Sequence, residues 1–265
     1  MSFLFLIPLP SLTYRFSLPQ LFSLATYSLQ TLNLAALSTE EEKLVFWVNV
    51  YHTLMLHGYA ELGAPASTRT LAKFLCSTSY CIGGYTVSLN EIENAILRAP
   101  LSPPKSASSL PSGSIAHFSK KDPRHALRLS KPEPLLSAIL NCGSESCPKI
   151  RILFLGTLGN DIATAAHQFF QSHMSVTMDR NDYHVHIPRV VGWYSSDFGK
   201  DKYHILITLL PYLSPSTSHV MELFNLLGNE KEIKKVKVKV EPKAYEWRFY
   251  CDLSVAFAQL ESDLD

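Results

Sequence analysis

The sequence predicts an α+β protein, and three observations carry the prediction. Residues 38–63, STEEEKLVFWVNVYHTLMLHGYAELG, form one long apolar run with helical start and stop signals. The segments VTMDRNDYHVHIPRV (176–190) and KVKVKVEP (235–242) instead alternate with the period-2 pattern of strands. Helical and strand patterns follow one another without a βαβ rhythm, which argues against a parallel doubly wound sheet. The expected architecture is a single domain: a central buried helix packed with several other helices against a small, mainly antiparallel sheet.

The elements follow in order. The opening MSFLFLIPLPSL lacks a basic region and is broken by Pro8 and Pro10, so it reads as a packed or frayed arm rather than a signal peptide. Residues 18–38 predict a first helix carrying Leu21, Leu24, Leu29, Leu32 and Leu34, then a turn. The long helix starts at Ser38 or Thr39, with Glu40, Glu41 and Glu42 where the helix dipole favours negative charge, and stops at Gly63 and Pro65. It is apolar nearly all round, as a central buried helix is. Asn49, His52, Thr53 and His57 fall on one arc, so this polar stripe must find internal partners or line a site.

Gly83-Gly84 predicts a turn, and Ser88 with Glu91 fits a capping box opening a helix with Ile92, Ile96 and Leu97 inward. Residues 100–114 are rich in Pro and Ser and read as a flexible loop. PLLSAIL (134–140) looks like a short buried strand. A helix over 157–174 turns Ile162, Ala166, Phe169 and Phe170 inward. In the hairpin over 176–190, Tyr183, Val185 and Ile187 alternate with His184 and His186. Two short helices lie at 204–213 and 218–228, and the last strand sets Val236, Val238 and Val240 against Lys235, Lys237 and Lys239.

Composition narrows the function classes. Among 265 residues, 46% are hydrophobic, enough for a sizeable core. A net charge of +1 supplies no drive towards nucleic acid, and no run approaches the roughly 20 apolar residues of a membrane span. Five cysteines without dense spacing do not make a secreted disulfide framework, so the reading is cytoplasmic. No metal or other cofactor is expected. Cys76 and Cys81 repeat the spacing of Cys142 and Cys147, but the first pair is poorly shaped for a zinc knuckle. His184 and His186 could ligate a metal, and solvent-facing alternation explains them as well. The lysine row could touch an anionic partner, and blocking edge-to-edge strand pairing explains it as well.

The sharpest candidate chemistry is a thiol nucleophile in NCGSESCP (141–148). Such a group needs a stabilised thiolate and a base within reach. Cys147 precedes Pro148 and Lys149, and Cys142 is followed by Gly143, where the backbone can turn sharply. The alternative is a pair of inert, packed cysteines.

FWVNVYHTLMLHG, IGGYTVSLNEIENAILR, DPRHALRLSKPEPLLSAILNCGSESCP and WYSSDFG occur in that order, and with them the chain resembles the domain of unknown function 547 family in its eukaryotic form. The similarity covers residues 29–253, with YEWRFYCDL closing it, and leaves 1–28 as an arm and helix start and 254–265 as a tail. Eukaryotic members resemble fusions with other segments, which implies a protein-interaction or regulatory module with a protein partner. The resemblance marks Trp47, Asn49, Glu93, Arg98, Asn141, Trp193 and Asp197 as family-motif positions. Where many bacterial members carry histidines, this chain has Asn94 and Ser137, and His52 stands at a second Asn position. An amide or a hydroxyl cannot accept a proton near neutral pH as imidazole does. The resemblance therefore implies a non-catalytic or catalytically degenerate domain. The alternative is a thiol-dependent hydrolase or transferase, loosely papain- or transglutaminase-like. It would use Cys147 or Cys142 as nucleophile, His52 or His57 as base (His125 also being available), and Asn49 or Asp197 as orienting group.

Overall fold

The computed structural model describes residues 26–104, 115–180, 182–214, 218–233 and 235–246. The N-terminal arm, residues 18–25 of the first expected helix, most of the Pro/Ser-rich loop and the C-terminal tail lie outside the described residues. The rest of that expected helix is helical only over 26–30; the chain leaves it at Thr31, and Leu34–Ala36 form a separate 3₁₀ turn capped by the Asn33 side chain, so Leu32 and Leu34 are not carried on it. The class is α+β, with many helices and two small sheets. The described chain divides into two compact units.

The first unit holds residues 26–101, 115–133 and 152–158. Its main element is α1 (Glu40–Leu62). Thr39 Oγ1 accepts the Glu42 N–H at 3.1 Å while the Glu42 carboxylate accepts the Thr39 N–H at 2.9 Å, the reciprocal cap expected from the sequence. At the other end Gly63, at φ +77°, donates its N–H to Tyr59. Phe46, Trp47, Val50, Tyr51, Leu54 and Met55 are buried on several sides of α1, each worth about 1.5–3 kcal/mol by removal from water. α2 (Thr68–Ser77) follows, then the hairpin of β1 (Ser79–Ile82) and β2 (Tyr85–Ser88). Its two-residue turn needs positive φ at both Gly83 (+55°) and Gly84 (+82°). The expected capping box opens a seven-residue π-helical segment, Glu91–Leu97, which packs on α1. Arg124 pairs with Glu91 at 2.8 Å and lies over the Phe118 ring, holding the DPRH segment to the start of that helix.

The second unit holds the described parts of 102–109, 134–151 and 159–265. PLLSAIL does not form the expected strand: Leu136–Ile139 is a single helical turn, α3, closed by the Leu140 N–H on Leu136 O at 2.9 Å. All four of its residues are buried, and a short run buried on every side carries no period to separate strand from helix. α4 (Leu158–His173) turns Ile162, Ala166, Phe169 and Phe170 inward. β3 (Ser175–Asp179) and β4 (Asp182–Ile187) make the expected antiparallel hairpin, turning at Arg180 with φ +51°. α5 (Arg189–Trp193), α6 (Lys202–Leu209), α7 (Ser218–Leu227) and α8 (Glu230–Ile233) form the long connection to β5 (Lys237–Pro242). That connection lets β5 join β4 in parallel, giving the order β3-β4-β5. Tyr183, Val185, Ile187 and Val238 point into a core shared with Phe170, Leu206, Leu209 and Leu223. No helix among the described residues is long and apolar enough to cross a membrane.

Candidate functional site

The turn Asn141–Pro148 is tied across its own ends. The Asn141 side chain accepts the Gly143 N–H at 2.5 Å and donates from Nδ2 to the Pro148 carbonyl. Gly143 takes φ +87°, which a residue with a Cβ adopts only at a cost. The Ser144 carbonyl accepts the Cys147 N–H at 3.0 Å, and its hydroxyl accepts the Ser146 N–H at 3.2 Å. These bonds fold six residues back so that Cys142 and Cys147 face each other. Their sulfurs lie 3.1 Å apart, about 1 Å longer than a disulfide bond.

A third group completes the cluster. The Tyr245 hydroxyl lies 3.0 Å from Cys142 Sγ and 3.4 Å from Cys147 Sγ, and Ser144 Oγ is 3.5 Å from Cys147 Sγ. Ser146 Oγ accepts the Glu246 N–H at 2.8 Å, fixing the segment that carries Tyr245. The Tyr245 ring packs on Trp193 with centroids 5.0 Å apart. Hydrogen bonding from the Cys142 thiol, helped by the Ser144 and Tyr245 hydroxyls, outweighs the upward push of burial and brings the Cys147 thiol down to about 6. Burial and then the charge of the two sulfurs push the Tyr245 phenol well above its ordinary range, so it remains a hydroxyl donor at neutral pH.

Cys147 also opens on a cavity of about 280 Å³, whose walls include Pro148, Arg151, Gln168, Phe169 and His173. Cys142 is not among its lining residues. Arg151 is nearly buried, bonded to Gln168 at 3.2 Å and 4.0 Å from Asp161. His173 holds the end of α4 to the turn: Nδ1 meets the Phe169 carbonyl at 3.0 Å and Nε2 the Glu145 carbonyl at 3.3 Å. A neutral imidazole carries one N–H and so donates to only one of these carbonyls; neither contact is with the Cys147 sulfur.

The structure thus gathers Cys142, Cys147, Asn141 and Trp193 of the sequence candidates. Asp197 ends a 3₁₀ turn at Ser195–Asp197 in the same unit, half-buried. The remaining candidates belong to the first unit. There Asn49 Nδ2 donates to Leu153 O at 2.9 Å and Oδ1 accepts the Leu153 N–H at 3.0 Å, so this side chain pairs with backbone as a strand would. His57 Nδ1 is 2.7 Å from the Tyr80 hydroxyl, and His125 Nε2 accepts from Arg128 at 2.8 Å. His52 is buried beside the Tyr51 ring, and Trp47 is fully buried against Phe46. Glu93 accepts from the Tyr51 hydroxyl at 3.3 Å, and Arg98 closes the π-helical segment, buried. Asn94 donates to Asn90 at 2.8 Å, and in the second unit Ser137 is buried in α3. Among the described residues no group of three or more His, Cys, Asp or Glu is placed to hold a metal ion.

Sequence reasoning missed Tyr245, Ser144 and His173. Tyr245 sits in the closing motif YEWRFYCDL, some hundred residues from the cysteines. That motif is the available signal, but nothing local in the sequence joins its tyrosine to a thiol.

Fold and site together define an α+β protein with a paired-thiol turn. The model of the family described as "Protein of unknown function, DUF547" matches residues 34–170, about half the chain, and the chain belongs to that family. The match takes in the central helix and NCGSESCP but stops short of WYSSDFG and YEWRFYCDL. No curated protein and no solved structure matches the chain.

Proposed function

We propose that this chain is a cytoplasmic regulatory or protein-interaction module rather than a thiol hydrolase. One observation carries the reading: among the described residues, Cys147 Sγ meets Cys142, Ser144 and Tyr245, and no imidazole. Hydrogen bonds can pre-form a thiolate, which serves the attack. Hydrolysis of an amide also needs an acid to protonate the departing amine, and a phenol held far above its usual range is a poor one. The candidate bases His57 and His125, and the candidate orienting group Asn49, are engaged in contacts that hold the first unit together. The net charge of +1 supplies no attraction for nucleic acid. A protein partner is supported by α7, where Met221 and Phe224 are exposed three residues apart while Val220 and Leu223 enter the core.

The test is hydrolysis of a panel of fluorogenic amides and esters by the wild-type chain and Cys147→Ala. Equal background rates are expected. Turnover that disappears in Cys147→Ala overturns the reading. The low pKa of Cys147 favours the second reading, a papain- or transglutaminase-like hydrolase or transferase with Cys147 as nucleophile, and the same assay decides between them.

A further inference from the structure

Paired sulfurs, a hydroxyl within reach of both, and a cavity that meets one of them are more than structural packing requires. Two half-buried thiols of no function would be replaced at little cost by small apolar residues. Here the Asn141 clamp, the left-handed Gly143 and the Ser144 bonds all act to bring the two sulfurs to 3.1 Å. The arrangement is also asymmetric. Both cysteines are half-buried, but Cys147 lines the cavity while Cys142 does not and lies 3.0 Å from the Tyr245 hydroxyl. Attack by one thiol followed by attack from a second at contact distance is the sequence of thiol–disulfide exchange. The cavity bears on the class of oxidant. A space of about 280 Å³ with apolar walls at Pro148, Ala165 and Phe169 and polar groups at Gln168 and Arg151 fits a small organic molecule; a peroxide would need no such room.

We propose that Cys142 and Cys147 form a redox-active dithiol that exchanges with low-molecular-weight disulfides, Cys147 attacking and Cys142 resolving. In the first step Cys147 Sγ, as thiolate, bonds to one sulfur of the disulfide RSSR. The RS–SR bond breaks, and the leaving RS⁻ takes a proton from solvent. In the second step Cys142 gives its proton to solvent, and its sulfur bonds to Cys147 Sγ. This expels the second RS⁻, which is protonated in turn. Two cysteine thiols are oxidised to one disulfide, and RSSR is reduced to two RSH. The Tyr245 hydroxyl stays a donor throughout: it stabilises Cys147 as thiolate before the first step and Cys142 as thiolate before the second, from 3.4 and 3.0 Å. Oxidation removes the thiolate acceptor from Tyr245, so Trp193, packed on its ring, senses the change.

The experiment mixes the reduced full chain with bis(2-hydroxyethyl) disulfide at neutral pH and follows thiol release, tryptophan fluorescence and the mass of the peptide carrying both cysteines. The wild type is expected to release about two equivalents of thiol at this site and lose about 2 Da from that peptide. Cys142→Ser should stop at a mixed disulfide on Cys147 with about one equivalent released. Cys147→Ser should slow reaction at the turn at least about tenfold. The cavity-filling variant Ala165→Leu should slow exchange but leave the reaction of exposed Cys76 and Cys81 unchanged. If it does not fold, the Cys142→Ser arm decides alone. No intramolecular disulfide in the wild type, or a mixed disulfide found on Cys142 and not Cys147, overturns the proposal. The inference rests on the non-hydrolytic reading of the turn, and the two fail separately. Cys147-dependent hydrolysis that survives Cys142→Ser defeats that reading, while absent exchange without hydrolysis defeats only this inference.

Discussion

Cys147 should alkylate with a pH profile unlike that of an ordinary thiol. With its pKa at about 6, Cys147 is about 24% thiolate at pH 5.5, against about 0.1% for a reference thiol near 8.5. The thiolate advantage is about 240-fold, but nucleophilicity falls with basicity. A Brønsted slope of about 0.4–0.5 over about 2.5 units removes a factor of about 10–18. Cys147 should then react about 13–24 times faster than the reference at pH 5.5 and about twofold faster at pH 7. Above pH 9 it should be slower by about tenfold. Access through the cavity scales the Cys147 rate by the same factor at every pH, so the midpoint is the robust quantity. The charged and titratable groups around the sulfur are Cys142, Tyr245, Glu145, Lys149, Arg151 and His173. The assay is iodoacetamide labelling resolved by cysteine with mass spectrometry, against N-acetylcysteine. Cys142→Ala removes the largest lowering contribution and should raise the midpoint most, with Ser144→Ala and Tyr245→Phe raising it less. A wild-type midpoint of about 8–9, or no change in Cys142→Ala, refutes the hydrogen-bonded thiolate.

Two further predictions concern the first unit. Asn49→Ala removes two bonds worth about 0.5–1.5 kcal/mol each and leaves the Leu153 backbone groups without that partner, for a loss of about 2–4 kcal/mol in urea unfolding. Asn49→Asp should be no better, because it keeps the acceptor but sets a carboxylate oxygen against the Leu153 carbonyl; a loss under about 1 kcal/mol for Asn49→Ala contradicts the structural role. Burial pushes the Glu40 carboxyl up, but the Lys131 and Ser130 N–H groups at 3.0 and 2.6 Å hold it below the usual range. A depressed carboxylate contributes stability above its unfolded pKa and loses it as pH falls through the folded one. Glu40→Gln should thus unfold at lower urea than wild type at pH 6, with the gap closing as pH drops below about 4.5; a gap constant across that range would refute the assignment.

What the sequence disclosed follows from how far each signal reaches along the chain. The cap at Thr39 and Glu42, the Gly83-Gly84 turn, the Ser88 and Glu91 box and the β3–β4 alternation each depend on residues within a few positions of one another, and all four were legible. PLLSAIL reads as a strand and folds as a helical turn because burial on every side leaves no period. The parallel pairing of β5 with β4 was invisible for a different reason. Alternation sets which face is inward, but direction comes from the connection through α5 to α8.

The site divides along the same line. The turn itself was legible, since Gly143 and the five-residue spacing of the cysteines announce a chain reversal. Its chemistry was not, because a thiol is defined by what surrounds its sulfur, and those partners come from Ser144 nearby and Tyr245 far away. A histidine partner is what a hydrolase requires, because there a base must sit beside the nucleophile. In this chain the contact that shifts Cys147 most is a second cysteine. A thiol that lowers its neighbour's pKa is also placed to displace whatever becomes bonded to it. The feature that makes the imidazole unnecessary for forming the thiolate therefore also supplies the resolving group for exchange, and one substitution, Cys142→Ser, separates the two consequences. Serine keeps a hydroxyl that can donate to Cys147 and so preserves much of the thiolate, yet it cannot form the disulfide. An alkylation midpoint that stays low in Cys142→Ser while exchange stops at the mixed disulfide would fit both roles. A midpoint that rises to the ordinary range would tie thiolate formation to the Cys142 thiol itself.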